Sequence, residues 1–243
     1  MKSIKKIYLY FFLVFLSLCI WSGTVGAYNI AYNVETPEKV IALTFDDGPN
    51  KFYTEKILAV LDREKVKATF FLVGKNIKEH PQIARKIKTK GHELGNHSLN
   101  HFDYSLMNNQ EIIKDILLSQ HIFFKYLDEF PLFFRPPYGK IKTANHKIFK
   151  NYFYKIVKWN IDPKDWWPGT NKQMISNIIF KHLKPGSIII MHDNNMNTLK
   201  ALPQIINKAR KRGFQFVTVS DLISKEATNT ALGYNPQKTK NYY

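Results

Sequence analysis

The sequence predicts an α/β domain with a largely parallel sheet. From Val40 onward, short β-branched or aromatic runs alternate with amphipathic helical patterns, and Gly and Pro residues separate them. This order is typical of strands that are connected by helices. The chain has 243 residues, 44% of them hydrophobic, which is enough for one large domain with a single core. Seven strand-like runs favour either a barrel or a doubly wound sheet.

Each predicted element has a local signal. Thr54, Asn109 and Thr198 stand where helices are expected to start and are predicted to be their N-terminal caps. Pro81 is expected to begin a further helix and Gly91 to end it. The runs predicted as strands are 40–45, 68–73, 92–95, 132–134, 154–159, 187–191 and 215–219.

The first 27 residues predict an export signal. Three lysines precede the almost wholly apolar run 7–20, and small residues end at Ala27, where cleavage is expected. Counted to Val25, the apolar run is also long enough for a membrane-spanning helix, so an N-terminal membrane anchor stays open. The single cysteine, Cys19, lies in this segment, so the exported part needs no disulfide to fold.

The predicted organisation has four parts. Residues 1–27 are the signal peptide or anchor, 28–38 a linker, 39–225 the catalytic domain and 226–243 a polar tail. The protein is then secreted, periplasmic or attached to the outer face of the membrane. We expect it to be a monomer.

The chain is strongly basic, with a formal net charge of +17. The first 27 residues carry three lysines and no acidic residue, so +14 remains after them. An exported protein with this charge is attracted to anionic surfaces of the cell envelope. A nucleic acid partner is disfavoured because the lysines are scattered instead of forming a basic arm. A solvated surface that keeps the protein soluble explains much of the same charge.

Two adjacent carboxylates and two histidines suggest a metal site. Asp46 and Asp47 follow the first strand and would repel each other if both were ionised, so a metal on one and a proton-accepting role for the other is chemically sensible. His97 and His101 are four residues apart, which predicts two imidazoles on one face of a helical turn. One Asp and two His form a facial site that suits zinc or non-haem iron. An Asp-rich turn and a chance histidine pair are the structural alternatives.

Two further groups follow later strands. Arg135 precedes two prolines, and such a fixed loop can aim a guanidinium at a carboxylate and a backbone N–H at an oxyanion. His192 follows the sixth strand, and a histidine with a carboxylate partner is a candidate general acid. Each group could also be only structural.

Taken together, these segments resemble five motifs of the polysaccharide deacetylases, the NodB-homology domain of carbohydrate esterase family 4. The motifs are Thr-Phe-Asp-Asp-Gly-Pro, His-Ser-x-x-His, Arg-x-Pro-Tyr-Gly, Asp-x-x-Asp-Trp and apolar-x-His, at 44–49, 97–101, 135–139, 162–166 and 190–192. The resemblance covers about residues 40–223 and implies an irregular (β/α) barrel with seven strands. It departs from the family pattern at Ile190, where leucine is usual.

The resemblance also implies residue roles. The metal, usually Zn²⁺, would be bound by Asp47, His97 and His101. Asp46 would be the general base, positioned by Arg135. His192 would be the general acid, oriented and tuned by Asp165.

Substrate contacts are implied at four positions. The backbone N–H of Tyr138 would help to hold the oxyanion, and Pro137 and Tyr138 would contact the substrate. Trp166 and Ile190 would line the acetyl pocket.

The activity implied is metal-dependent removal of N-acetyl groups from an amino-sugar polymer of the cell envelope. Peptidoglycan is expected before chitin oligomers or poly-N-acetylglucosamine, and the motifs do not distinguish N-acetylglucosamine from N-acetylmuramic acid. Three alternatives remain: an O-acetyl ester deacetylase of the acetyl-xylan type, a wall-binding protein with a decayed site, and a non-haem iron oxygenase.

Overall fold

Seven parallel strands form one curled sheet in the computed structural model, which describes residues 30–231 and side chains up to residue 226. The predicted leader and residues 232–243 of the predicted tail lie outside the described residues. The strands are β1 Val40–Asp46, β2 Thr69–Leu72, β3 Glu93–Asn96, β4 Phe133–Phe134, β5 Lys155–Ile156, β6 Ile188–His192 and β7 Gln215–Val217. The helices are α1 Thr54–Arg63, α2 Gly74–Glu79, α3 Pro81–Thr89, α4 Asn109–Leu127, α5 His146–Asn151, α6 Lys172–His182, α7 Met196–Lys211 and α8 Val219–Ala231.

The sheet curls into an irregular (β/α) barrel, so the predicted fold class is confirmed. Its strand order is β5-β4-β3-β2-β1-β6, and β7 pairs with the first half of β1. Beyond β5, Ile161 forms an isolated parallel bridge with Ile189 of β6. This bridge brings the two outer strands together, so the doubly wound alternative is wrong.

The alternation along β1 explains why the barrel has a polar upper end. Ile41, Leu43 and Phe45 belong to the core cluster packed under the helices, whereas Ala42 belongs to the cluster that includes Phe71 and Ile188. Successive side chains of a strand point to opposite faces. Thr44 and Asp46 therefore share the interior face with Ala42, at the carboxyl end of the strand.

The helix starts differ from the predicted caps. Tyr53, not Thr54, is the N-cap of α1, and it makes no side-chain capping bond. Asn108, not Asn109, caps α4 through a capping box with Glu111. Pro81 begins α3 as predicted.

The seventh helix start also differs: Asn195 caps α7 by accepting a hydrogen bond from the backbone N–H of Thr198. The hydroxyl groups of Thr54 and Thr198 instead bond buried carboxylates, Asp193 and Asp165. The sequence could not show this because those carboxylates lie 139 and 33 residues away along the chain.

Both predicted domain boundaries lie within folded structure. Ala31 of the predicted linker donates to Ile156, and Val34 is buried and donates to Gly186, because backbone groups of this segment find partners beside β5 and β6. At the other end α8 continues past Lys225 to Ala231. Among the described residues, no helix has the length and apolar character needed to cross a bilayer.

Candidate active site

The strand register places Asp46 beside His192. Asp46 ends β1, His192 ends β6, and the two are direct partners in the parallel pairing of these strands. Paired residues of neighbouring strands point to the same face, so both side chains lie at the interior of the barrel. Thr44 and Ile190 are partners too, two residues earlier on the same strands, so they lie below this pair on the same face. Two predicted proton-transfer residues and the predicted acetyl-pocket residue therefore share one end of the barrel.

Asp46 is held by a fully buried arginine. Arg135 is 0% exposed, and its Nη1 donates to Asp46 Oδ1 and to the Thr44 hydroxyl, both at 2.7 Å. Its Nε and Nη2 donate to the carbonyl oxygens of Val157 and Lys158. Burial lowers the pKa of Arg135, but Asp46 opposes this change by favouring the charged guanidinium. Three of these bonds fix the guanidinium, and the fourth holds the Asp46 carboxylate.

Asp47 faces the two histidines. Its Oδ1 lies 3.1 Å from His101 Nε2 and 3.5 Å from His97 Nε2, while its Oδ2 accepts a hydrogen bond from Asn194. Burial acts to raise the pKa of Asp47, but the close approach of the imidazoles of His101 and His97 outweighs it, so the pKa is lowered. Asp47 is thus an ionised carboxylate at neutral pH.

The two histidines lie in a loop, not on a helical turn, so this part of the prediction is wrong. Residues 97–101 follow β3, and Ser98 and His101 have positive φ angles of 74° and 62°. Asn96 Oδ1 accepts from the Ser98 N–H, and Ser98 Oγ accepts from the His101 N–H. These side-chain bonds replace helical ones and fold the loop back on itself, which brings the two imidazoles within 5.0 Å of each other.

The arrangement fits a divalent cation. The ligand atoms of Asp47, His97 and His101 all lie within 4.8 Å of one another. His97 Nδ1 contacts the carbonyl oxygen of Arg135 at 2.7 Å, which can only accept, so Nδ1 carries the proton and Nε2 offers a lone pair. Asp47 Oδ1 is buried without a hydrogen-bond partner of suitable geometry. A buried orphan oxygen between two imidazole nitrogens is the donor set that zinc prefers.

His192 is held by the buried carboxylate of Asp165. Its Nδ1 and backbone N lie 2.8 and 2.7 Å from the two oxygens of Asp165, and the Thr198 hydroxyl donates to the same carboxylate. Burial acts to lower the pKa of His192, but the bond to Asp165 and its charge, with Asp46 and Asp47 adding, raise it to about 9. His192 is therefore protonated at neutral pH.

A second buried carboxyl lies beneath the site. Asp193 is fully buried, and burial raises its pKa to about 7. Thr54 donates to its Oδ2, while its Oδ1 has no partner among the described residues. The carboxyl packs against Gly48, where an added Cβ would lie 2.8 Å from Asp193 Cγ. Glycine is required there because the carboxyl group fills the space.

One cavity of about 340 Å³ connects these groups. It is lined by Asp46, Asp47, His97, His101, Tyr138, Trp159, Asp162, Trp166, Ile190 and His192. Tyr138 has a left-handed backbone, with φ 58° and ψ 8°, and its ring packs 4.7 Å from that of His101. Gly139 follows, because a Cβ there would lie 2.9 Å from the Trp159 ring. The aromatic rings of Tyr138, Trp159 and Trp166 and the charged residues therefore line the same cavity.

Three predicted site residues do not line the cavity. Arg135 lies behind Asp46 and Asp165 behind His192. Pro137 is buried as the first residue of a short 3-10 turn, so it supports Tyr138 instead of facing the cavity. Two lining residues were not among the predicted site residues: Trp159 and Asp162. The position of Trp159 just beyond β5 and that of Asp162 at the start of the Asp-x-x-Asp-Trp motif were the available signals.

The comparisons with known proteins agree with this geometry. The family model described as polysaccharide deacetylase matches residues 33–157. The chain belongs to the polysaccharide deacetylase family. A peptidoglycan-N-acetylglucosamine deacetylase of Bacillus cereus is 38% identical over 200 residues, 80% of this chain and 92% of that protein. The peptidoglycan-N-acetylmuramic acid deacetylase PdaC of Bacillus subtilis is 36% identical over 78% of this chain and 40% of its own length.

A solved structure extends the likeness of this polysaccharide deacetylase to three dimensions. The crystal structure of a peptidoglycan N-acetylglucosamine deacetylase matches with a TM-score of 0.78 and 33% identity, over 80% of this chain and 92% of that one. The prediction that the chain is a polysaccharide N-deacetylase is therefore confirmed.

Proposed function

We propose that this deacetylase removes N-acetyl groups from peptidoglycan with the help of a divalent cation, preferably Zn²⁺, bound by Asp47, His97 and His101. One observation carries the proposal: Asp46 and His192, which are partners in the strand register, face one cavity beside the Asp47 and histidine cluster. A base and an acid are needed on the two sides of an amide that is to be hydrolysed. The cluster supplies a place for a Lewis acid between them.

The residues divide the reaction between them. A cation held by Asp47, His97 and His101 would supply Lewis acidity toward the acetamide carbonyl and the attacking water. Asp46, fixed by Arg135, accepts a proton from that water as its oxygen attacks the carbonyl carbon. The backbone N–H of Tyr138 donates to the developing oxyanion. His192 gives its proton to the nitrogen as the C–N bond breaks, and the products are acetate and a free amine.

Asp165 orients His192 and keeps it protonated. Its bonds to Nδ1 and to the backbone of His192 leave Nε2 as the nitrogen available to the substrate. The raised pKa of His192 keeps that nitrogen protonated until the leaving group needs it. Trp166 and Ile190 give the acetyl methyl group an apolar wall.

Three considerations support peptidoglycan as the polymer. Two relatives of this chain carry peptidoglycan in their names, the predicted leader places the protein outside the cytoplasm, and the net charge of +17 suits an anionic wall. We propose N-acetylglucosamine as the sugar, after the relative with 38% identity.

The test is acetate release by the purified full chain from peptidoglycan, N-acetylglucosamine oligomers and acetylated xylan, with chelator and with added zinc. Mass analysis of the digested peptidoglycan then shows which sugar has lost an acetyl group. We expect zinc-dependent release from peptidoglycan, with the loss on N-acetylglucosamine. Release from acetylated xylan alone would indicate an ester substrate. No release by zinc-loaded protein from any of the three would indicate a wall-binding role.

A further inference from the structure

Exposed aromatic and aliphatic side chains cluster at the end of the barrel opposite the active site. The lower face, as we call it, consists of Phe124, Phe130, Leu132 and Phe153. Phe153 is 86% exposed and Phe130 is 64% exposed. Single exposed apolar residues are normal on a protein surface, but a group of them is informative. Exposed apolar groups gathered at one end of a barrel in this way mark a contact surface.

The topology places these residues together. Leu132 directly precedes β4, and its carbonyl oxygen accepts from the N–H of Lys155 at the start of β5, so Phe153 lies beside it. The rings of Phe124 and Phe130 stack at 5.0 Å. Strands β4 and β5 are parallel to β1 and start at the lower end. The lower face and the cavity are therefore at opposite ends of the barrel.

Lysines surround the lower face. Lys125, Lys147, Lys150 and Lys155 are exposed, and none forms an ion pair with a described residue. Glu129, in the loop before Phe130, is paired with Lys88 at 2.9 Å. Asp128 in the same loop and Glu226, which lines a groove together with Lys155, are then the acidic residues that face the four lysines. The net local charge is positive. Aromatic rings bordered by lysines are typical of surfaces that bind anionic lipid head groups.

The chain enters the fold at this same end. Ile30, the first described residue, lines a groove together with Lys155, and Ala31 bonds to Ile156 and Lys158. Only nine residues, 21–29, separate Ile30 from the apolar run 7–20. Nine residues span at most about 30 Å when fully extended. A leader inserted in a bilayer would therefore hold this end of the barrel near the membrane.

We propose that the lower face docks on an anionic lipid bilayer and so directs the active-site cavity away from the membrane. The rings of Phe130 and Phe153 lie among the head groups, and the four lysines meet the lipid phosphates. The cavity, at the far end, then faces a polymer outside the membrane. This proposal does not depend on the identity of that polymer.

The experiment uses the full chain with Cys19→Ser, labelled at one introduced cysteine with an environment-sensitive dye. Asn151→Cys reports on the lower face, and Leu106→Cys, at a position 82% exposed beyond β3, reports on the opposite end. Both proteins are bound to vesicles of phosphatidylcholine alone or with phosphatidylglycerol. We expect lipid-borne quenchers to reach the dye at position 151 on the anionic vesicles and not the dye at position 106.

Two sets of variants test which side chains are responsible for docking. Lys150→Glu and Lys155→Glu should each lower the docked fraction relative to the undocked by about five-fold or more, from about 1 kcal/mol per lysine at an anionic surface. Phe130→Ser and Phe153→Ser should reduce quenching, whereas Phe52→Ser, a control at 60% exposure, should not. Unchanged acetate release from a soluble oligomer shows that each variant is folded.

Three results would overturn the proposal. The first is an unquenched dye at position 151 on vesicles that carry the protein. The second is equal quenching on neutral and anionic vesicles. The third is a dye response that depends on protein concentration without lipid and disappears in Phe130→Ser, which would mean that a second copy of the chain covers the face.

Discussion

The two halves of the cavity differ in how their polar atoms are satisfied. On one side, Asp47 Oδ1 lies between two imidazole nitrogens yet has no hydrogen-bond partner of suitable geometry. On the other side, both oxygens of Asp165 are bonded by His192, and Thr198 adds a third bond. Buried polar groups are rarely left unpaired. The acid half, which contains His192 and Asp165, therefore has its polar atoms satisfied within the chain. The metal half, which contains Asp47, His97 and His101, keeps a buried oxygen that an ion can complete.

The largest expected effect is at Asp46, which lies between the halves. Asp46→Asn keeps the side-chain shape and its place beside Arg135 but cannot accept a proton, so kcat should fall by about 10⁴-fold. Acetate release at saturating substrate measures it. A loss of less than ten-fold would show that another group is the base.

The metal half should respond to zinc. The unfolding free energy of apo protein should rise by about 2.7 kcal/mol at zinc a hundred times its dissociation constant. His101→Ala removes one of three ligands and should abolish this increase, as measured by thermal unfolding with and without zinc. Asp165→Asn is the matched control in the other half and should respond like the original chain. An equal response of both variants would contradict the division into halves.

The acid half should respond to pH. His192 must be protonated to act, and its pKa is about 9, so kcat should fall as pH rises through that pKa. Asp165→Asn removes the main interaction that raises the pKa, so the alkaline limb should move to lower pH. The rate at neutral pH should fall by about 10- to 100-fold, as for other orienting partners.

A bound cation repels the imidazolium of His192 in the original chain and in Asp165→Asn alike, so it lowers the pKa of His192 in both. The pKa in the variant stays the lower of the two. An alkaline limb that stays in place in Asp165→Asn would show that His192 is not the titrating acid.

The smallest effect concerns stability beneath the site. Gly48→Ala would place a Cβ 2.8 Å from Asp193 Cγ, and overpacking of this kind costs about 1 to 3 kcal/mol. Gly169→Ala is the control, because its Cβ would meet Trp167 at an ordinary 3.6 Å. Denaturant unfolding of both variants measures the difference. Equal unfolding free energies would mean that the carboxyl of Asp193 moves aside freely.

Local sequence predicted the strands well and the loops poorly. Each of the seven predicted strands overlaps an observed one, because burial on both faces of a parallel strand demands continuous apolar runs. The helical turn predicted for His97 and His101 was wrong, since side chains of Asn96 and Ser98 satisfy the backbone there. Spacing shows which residues can be neighbours, but local hydrogen bonds decide the conformation that makes them so.

The sequence by itself determined the fold class, the order of the strands along the chain and the set of polar residues at the strand ends, because these depend on local composition and on motifs. Only the tertiary structure decided that Asp46 and His192 are partners on adjacent strands. It also decided that Thr54 and Thr198 serve buried carboxylates, and that one end of the barrel is catalytic while the other is aromatic and basic. These are contacts between residues far apart in the chain, and their geometry is fixed by how the strands pack, which no local pattern encodes.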